Sequence, residues 1–152
     1  MKILGIRNSP SSVRYAIIDG DKISSTFINK DEENKLVFPK AMKSIPQKIC
    51  WYKSEIDRII LAHGPFDAVA LKHNENVQSN YSRLQETMYY DAITSLIFAE
   101  KSVRLEYFTY KSMKTNSKSI LAATEPIYGK TSQHWDVQIA DAIYACTMII
   151  GE

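Results

Sequence analysis

The sequence has few cysteines, no long hydrophobic run and little excess charge of either sign. Cys50 and Cys146 stand apart from any Cys-x-x-Cys motif and from any histidine at a metal-ligand spacing, which predicts buried, reduced thiols. No apolar run approaches the ~20 residues of a membrane-spanning helix. The first residues lack the apolar core and cleavage site of a signal peptide. We therefore expect a cytoplasmic protein with no membrane partner.

The charge balance excludes a strongly basic protein. Nineteen Lys and Arg residues stand against 17 Asp and Glu residues, a net charge of +2. This mild excess permits an acidic partner but does not by itself indicate nucleic-acid binding. With 152 residues and no internal repeat, the sequence predicts one domain over residues 1–152. Such a domain buries roughly 70% of the surface that its unfolded chain exposes.

The spacing of apolar residues predicts the element order β-β-β-α-β-α-β-α. A strand over residues 1–7 is followed by an alternating segment over 12–19, an Asp-Gly turn and a return strand over 22–28. The polar residues 29–35 predict a loop. The later elements are helices over 46–63, 79–101 and 135–150, and strands over 67–71 and 103–109. This order predicts an α/β protein with a mixed five-stranded sheet, three antiparallel strands and then parallel ones, flanked by helices.

Four short segments carry a resemblance to a known family. They are Ile3-Leu-Gly-Ile-Arg-Asn-Ser-Pro-Ser11, Val69-Ala-Leu-Lys72, Glu106-Tyr107 with Lys111 and Lys114 downstream, and Ile139-Ala-Asp-Ala-Ile-Tyr144. In this order they resemble the first strand (Leu-Gly-Ile-Asp-Pro-Gly-Ser), the strand ending Ala-Ile-Glu, the fifth strand with its Lys-rich turn, and the final helix (Ala-Ala-Asp-Ala-Leu-Ala) of the RuvC-type Holliday-junction resolvases. The resemblance implies a ribonuclease H-like fold.

The resemblance also implies a changed active site. In that family a cluster of carboxylates holds two divalent cations about 4 Å apart for phosphodiester hydrolysis. The family's acids fall on Arg7, Lys72 and Gln138, and only the last acid is kept, as Asp141. Hard cations require oxygen ligands and negative charge. These four positions are therefore expected to be vestigial, with no metal, no cofactor and no two-metal nuclease activity.

Two interpretations of the basic residues stay open. In one, Asp141 pairs with Arg7, Lys72 or both, and an internal salt bridge replaces the metals. In the other, one cation stays unpaired and binds phosphate or another anion. Lysines on the segment after the fifth strand either extend that anion site along a nucleic-acid backbone or belong to a solvated loop. They are Lys111, Lys114 and Lys118.

Three functions follow in order of preference. The first is a catalytically degenerate RuvC-like protein that binds branched or single-stranded DNA or RNA without metal-dependent cleavage. The second is a structural or regulatory protein-interaction module, a homodimer that uses tyrosines on the long helix. The third is a nuclease with a relocated acidic site. The tyrosines are Tyr81, Tyr89 and Tyr90.

Smaller expectations concern the remaining polar residues. The acids that could serve the third function are Glu75 and Asp91, although the predicted fold brings neither to the cluster. Asp136 is expected to stabilise the start of the last helix. His63 and His73 are assigned no role. On the long helix, the expected apolar stripe consists of Tyr81, Leu84, Met88, Ile93, Leu96 and Ile97.

Overall fold

The computed structural model describes residues 1–75 and 81–151. The strands are β1 (Lys2–Asn8), β2 (Ser12–Gly20), β3 (Ser25–Phe27), β4 (Lys35–Val37), β5 (Ala68–Lys72) and β6 (Arg104–Phe108). The helices are α1 (Ile45–His63), α2 (Tyr81–Glu100), α3 (Ser117–Tyr128) and α4 (Val137–Ile150). Of the helix predicted over 79–101, the first two residues lie outside the described part. None of the helices seen in the described ranges is both long and apolar enough to cross a membrane.

The strand β1 lies at the centre of a mixed sheet with the order β3-β2-β1-β5-β6. It pairs antiparallel with β2 and parallel with β5, and β5 pairs parallel with β6. Both β3 and β4 pair antiparallel with β2. The predicted α/β architecture, with antiparallel strands followed by parallel ones and helices alongside, is confirmed.

The predicted count of five strands is wrong because Lys35–Val37 forms a sixth. This segment is too short for its alternation to show, and it is paired because Leu36 is buried opposite Val13. The return strand is also shorter than predicted. The Asp21 carboxylate accepts hydrogen bonds from the backbone N–H groups of Ile23 and Ser24, which extends the turn into the segment expected to be strand.

Helices cover both faces of the sheet, so successive residues of β1 enter different cores. Ile3 packs in the core beneath α3 and α4, whereas Leu4 and Ile6 pack against α1 and α2. α4 approaches β1 closely at Gly5. A Cβ on Gly5 would lie 2.2 Å from the carbonyl oxygen of Ala142, so only glycine permits this contact.

Two further expectations about helices are wrong. The sequence predicts no helix between the fifth strand and residue 135, and it predicts an apolar stripe along the long helix. The basic segment after β6 leads into α3, whose first turn is capped by Asn116 accepting from the backbone N–H of Ser119. Half of the expected apolar stripe of α2 is on the outside. Its Tyr81, Met88 and Leu96 are exposed, whereas Ile97 is buried beside polar residues that find hydrogen-bond partners. The buried residues of α2 are Thr87, Tyr90, Asp91, Thr94, Ile97 and Phe98.

The cysteines differ in their surroundings. Both are free, as predicted, and Cys146 is buried in α4. Cys50 is exposed, contrary to expectation, because it lies on the outer face of the amphipathic helix α1.

Candidate functional site

The four positions singled out by the resemblance lie at one end of the sheet. Arg7 and Lys72 are register partners on the parallel strands β1 and β5, close to the carboxyl ends of both. Gln138 and Asp141 lie three residues apart, one helical turn, in the first half of α4. Because α4 packs on β1 at Gly5, the Asp141 side chain reaches the end of that strand.

Arg7 and Asp141 form a buried ion pair. The Arg7 Nε lies 3.2 Å from Asp141 Oδ2, and the Asp141 side chain is fully buried. Arg7 also donates from Nη1 to the Asn8 carbonyl at 3.0 Å and from Nη2 to Asn74 Oδ1 at 3.4 Å. The Tyr110 hydroxyl donates to the same Asp141 Oδ2 at 3.0 Å. Burial raises the pKa of Asp141 above its ordinary value, although Arg7 and Lys72 oppose this shift.

Lys72 has a different partner. Its Nζ lies 2.6 Å from Glu75 Oε2, donates to the His73 carbonyl at 2.7 Å and lies 3.9 Å from the centre of the Tyr110 ring. Burial lowers the pKa of Lys72, and the neighbouring Arg7 charge lowers it further. Thus Asp141 pairs with one of the two cations, and Glu75 neutralises the other.

Glu75 therefore belongs to the site, and the expectation that the fold keeps it away is wrong. The chain after β5 turns so that Glu75 contacts the ammonium group three residues before it, and its Oε2 also accepts from the Tyr110 backbone N–H at 2.7 Å. Burial alone would raise the pKa of Glu75, but hydrogen bonds from Lys72 and the backbone outweigh it, so the pKa lies below its ordinary value. An acid three residues after a lysine in a buried strand is the sequence signal for this pair.

These residues do not fit two divalent cations. A guanidinium and an ammonium group occupy two of the positions, and the Asp141 Oδ2 is already bonded to Arg7 and Tyr110. Within residues 1–75 and 81–151, no three His, Cys, Asp or Glu side chains are grouped to hold a metal ion. Asp141 Oδ1 and Gln138 Oε1 are buried and have no hydrogen-bond partner in the described part of the chain.

A cleft of about 570 Å³, here called the first cleft, opens beside Arg7. Its lining carries two guanidinium groups, of Arg7 and Arg83, against one carboxylate, of Glu75. The full lining is Arg7, Ser9, Pro10, Asn74, Glu75, Arg83, Leu84, Tyr110, Ser117, Val137 and Gln138. The three lysines predicted to extend the anion site are all exposed. Lys111 and Lys114 lie between the lining residues Tyr110 and Ser117, and Lys118 directly follows Ser117. The first cleft is therefore a polar depression whose lining carries more guanidinium groups than carboxylates, with the Arg7 guanidinium paired to the buried Asp141.

The start of α4 is fixed by Asp136, as predicted. Its Oδ1 accepts hydrogen bonds from the backbone N–H groups of Gln138 and Ile139, both at 3.0 Å. Its Oδ2 accepts from the Arg14 Nε at 3.1 Å. Since Arg14 lies on β2 in register with Arg7, this contact ties the first turn of α4 to the same end of the sheet.

His73 and Asp91 form a pair that sequence reasoning missed. The His73 Nδ1 lies 2.8 Å from Asp91 Oδ2, and Asn8 Nδ2 donates to Asp91 Oδ1 at 2.8 Å. The Tyr52 hydroxyl in turn donates to Asn8 Oδ1 at 3.0 Å. Asp91 thus lies next to the site rather than in it. No local pattern relates these residues, because they come from four separate elements or element ends.

Comparison with known proteins shows which solved structures share this fold. The sequence matches no family model, and no curated protein matches it significantly. Among solved structures, Thermus thermophilus RuvC in complex with a Holliday junction substrate aligns with a TM-score of 0.76, covering 99% of this chain and 94% of RuvC at 10% identity. The chain has the ribonuclease H-like fold of RuvC. The predicted resemblance is thereby confirmed at the level of the fold.

Two more resolvases share this RuvC-like fold. The resolvase of Fowlpox virus, in a complex with Holliday junction DNA, aligns with a TM-score of 0.59 at 13% identity and covers 99% of this chain and 97% of its own. The yeast mitochondrial Holliday-junction resolvase aligns with a TM-score of 0.62 at 10% identity and covers 97% of this chain and 77% of its own. At such identities the likeness concerns the fold alone.

Proposed function

We propose that this RuvC-like chain binds nucleic acid in the first cleft and does so without metal-dependent cleavage. The observation that carries the proposal is the guanidinium group of Arg7 at the end of β1, where it lines a polar cleft and is paired with Asp141 through only one of its N–H groups. A cation at this position attracts a phosphate group, whereas two-metal hydrolysis would require a carboxylate there.

Arg7 is suited to hold a phosphate because its guanidinium group is fixed by hydrogen bonds that use only some of its N–H donors. A guanidinium group has five N–H donors. Three hydrogen bonds from Arg7 go to Asp141, Asn8 and Asn74, and the one to Asn74 is long, at 3.4 Å. The Asp141 pair orients the group, and the outer N–H donors remain for a ligand oxygen.

The lysines beside the first cleft would extend binding along a backbone. Lys111 follows the lining residue Tyr110, and Lys118 follows the lining residue Ser117. Lys114 lies between them and is also exposed. Lysines of this kind neutralise phosphates without regard to base sequence and make the affinity depend on salt.

Branched DNA is the first ligand to test. RuvC and the Fowlpox virus resolvase are described in complexes with Holliday junction substrates. Single-stranded DNA and RNA are tested beside a four-way junction, because the guanidinium groups of the lining select phosphate rather than a particular base or sugar.

The experiment measures fluorescence anisotropy of labelled oligonucleotides between about 50 and about 200 mM salt. The variant removes Lys111 and Lys118 (both to Ala). Its matched control removes Lys22 and Lys101, two exposed lysines near the amino ends of β1 and β6, at the other end of the sheet. We expect the first variant to reduce the slope of log affinity against log salt by about 2, and the control to leave it unchanged. No binding at low salt, or equal slopes for both variants, would refute the proposal.

Cleavage is tested on the same labelled junction with Mg²⁺ or Mn²⁺. We expect the strands to stay intact, because Arg7 and Lys72 occupy positions that would have to bind the metals. Metal-dependent products that disappear on substitution of Glu75 or Asp141 would instead support a nuclease with a relocated acidic site.

A second candidate function rests on the outer face of α2. Large apolar residues are exposed there, with Tyr81 at 74%, Met88 at 59% and Leu96 at 53% exposure, together with Tyr89. Tyr90, expected on the same surface, is fully buried and does not contribute. Exposed apolar residues grouped on one face are typical of protein interfaces, so we propose this face as the contact of a homodimer.

Light scattering across a dilution series tests the homodimer. Met88→Glu should shift a dimer to a monomer, whereas Leu61→Glu, at an exposed position of α1, should not. A wild-type chain that is monomeric at every concentration would exclude this function.

A further inference from the structure

A second cleft of about 460 Å³ adjoins the first. The two share Asn74 and Leu84 as a common wall. The second cleft lies between α2 and the ends of β5 and β6. Its lining includes His73, Leu84, Met88, Asp91, Ser95 and Tyr107. A depression with aromatic and aliphatic walls thus lies directly beside a polar one.

One wall of the second cleft is a pair of stacked rings. The rings of His73 and Tyr107 are nearly parallel, with 4.9 Å between centroids and an angle of 8° between planes. Both are held at their polar ends, His73 by Asp91 and Tyr107 by its hydroxyl donating to Ser95 Oγ at 2.8 Å. Tyr107 is 51% exposed, so much of its surface remains open to a ligand. The wall is therefore flat, aromatic and already ordered.

The hydrogen bonds around Asp91 also determine which nitrogen of His73 carries the proton. The Asp91 carboxylate accepts from Asn8 at one oxygen and faces His73 Nδ1 with the other. Nδ1 must therefore donate, and in the neutral imidazole Nε2 is then an acceptor. Nε2 has no hydrogen-bond partner among the described residues. It is available to the N–H groups on the edge of a ligand ring.

We infer that the second cleft takes an unpaired nucleobase from the strand whose phosphate lies in the first cleft. This inference rests on the proposed function and names the part of the nucleic acid that is recognised. A base stacks on an aromatic side chain whatever its identity, because every base has a π-face. A paired base inside a duplex has both faces covered by its neighbours, so the cleft selects single-stranded or unpaired nucleotides.

The test compares Tyr107→Leu with Leu61→Ala, which removes an exposed apolar side chain of α1 that lines neither cleft. The probes are a single-stranded oligonucleotide, the same strand with abasic sites, and a blunt duplex. We expect Tyr107→Leu to weaken binding to the intact single strand about tenfold or more, in line with the loss of one stacked base. Binding to the duplex and to the abasic strand should change less than twofold, and Leu61→Ala should behave as wild type.

A second measurement needs no variant that could misfold. A 2-aminopurine base in the single strand should lose fluorescence when it stacks on binding to the wild-type protein, and Tyr107→Phe, which keeps the ring, should keep this signal. Equal affinities for the intact and abasic strands would overturn the inference, yet the salt-dependent phosphate binding would stand. Absence of binding to every oligonucleotide would overturn both.

Discussion

Arg7 and Lys72 are register partners on adjacent parallel strands, yet each is neutralised by a different carboxylate. Asp141 reaches Arg7 from α4, and Glu75 reaches Lys72 from the chain that follows β5. Tyr110 contacts both pairs, through its hydroxyl to Asp141 and its backbone N–H to Glu75. The end of the sheet is thus held together by two ion pairs.

Replacing Arg7 by Met should be strongly destabilising. It leaves the fully buried Asp141 without a countercharge, which costs about 3–5 kcal/mol of the free energy of unfolding. The loss in the free energy of unfolding is measured by urea denaturation of the wild type and the variant. The matched control is Arg58→Met on α1. Its ion pairs with the exposed Glu33 and the half-buried Glu55 lie at the protein surface and should contribute less than about 1 kcal/mol.

A double variant separates the charge from the packing. Arg7→Met combined with Asp141→Asn removes both members of the pair, so it should be more stable than Arg7→Met alone. If the double variant instead loses the sum of the two single effects, the buried charge is not the cause.

Placing carboxylates at the end of the sheet should create a metal site. The triple change Arg7→Asp, Lys72→Glu and Gln138→Asp places three acids beside Asp141, and oxygen ligands with net negative charge attract Mg²⁺ and Mn²⁺. We expect Mn²⁺ to raise the melting temperature of this variant. A free Mn²⁺ concentration one hundred times the dissociation constant should add about 2.7 kcal/mol to the free energy of unfolding. The wild-type chain should show no such increase.

A neutral variant controls for the loss of the two cations. Arg7→Asn with Lys72→Gln removes the same positive charges without adding acids, and Mn²⁺ should not stabilise it. A folded acidic variant that melts at the same temperature with and without Mn²⁺ would show that these four positions do not form a common site.

Glu75 should make stability depend on pH in the acidic range. Its pKa in the folded chain lies below the ordinary value of 4.5, so between these two values the unfolded chain binds more protons. The stabilisation is therefore fully present above about pH 4.5 and is lost as the pH falls through the lower, folded-state pKa. In urea denaturation the stabilities of wild type and Glu75→Gln should differ at pH 7, and the difference should shrink as the pH falls below about 4.5.

The Lys72 partner provides the control for this pH dependence. In a Lys72→Met background the effect of Glu75→Gln should be smaller at neutral pH, because the charge that lowers the Glu75 pKa is gone. An equal effect in both backgrounds would place the source of the stabilisation in the backbone contact with Tyr110.

Much of the site was predictable from residues near each other in the chain. Lys72 ends an apolar strand, and Gln138 and Asp141 share one face of a helix, so strand and helix periodicity locate them. Glu75 and His73 were not located in this way. Their partners become apparent only when Lys72 is known to be buried and when α2 is known to bring Asp91 to the end of β5.

The misjudged helix α2 shows why periodicity alone is not enough. Its buried face includes Asp91 and Thr94, which hydropathy would leave in solvent. They are buried because Asn8 and Tyr52, from other elements, supply hydrogen bonds that offset the loss of water. A sequence pattern registers the polarity of a residue and not the presence of such a distant partner.

The sequence by itself determined the order of strands and helices apart from β4 and α3, the RuvC-like resemblance and the charges at the ends of β1 and β5. These depend on local periodicity and on residue type, both of which are visible along the chain. Only the tertiary structure decided that Asp141 neutralises Arg7, that Glu75 neutralises Lys72, and that His73 stacks on Tyr107 beside them. The reason is that ion pairing and stacking act over a few ångströms in space, between residues that only the folded chain brings together.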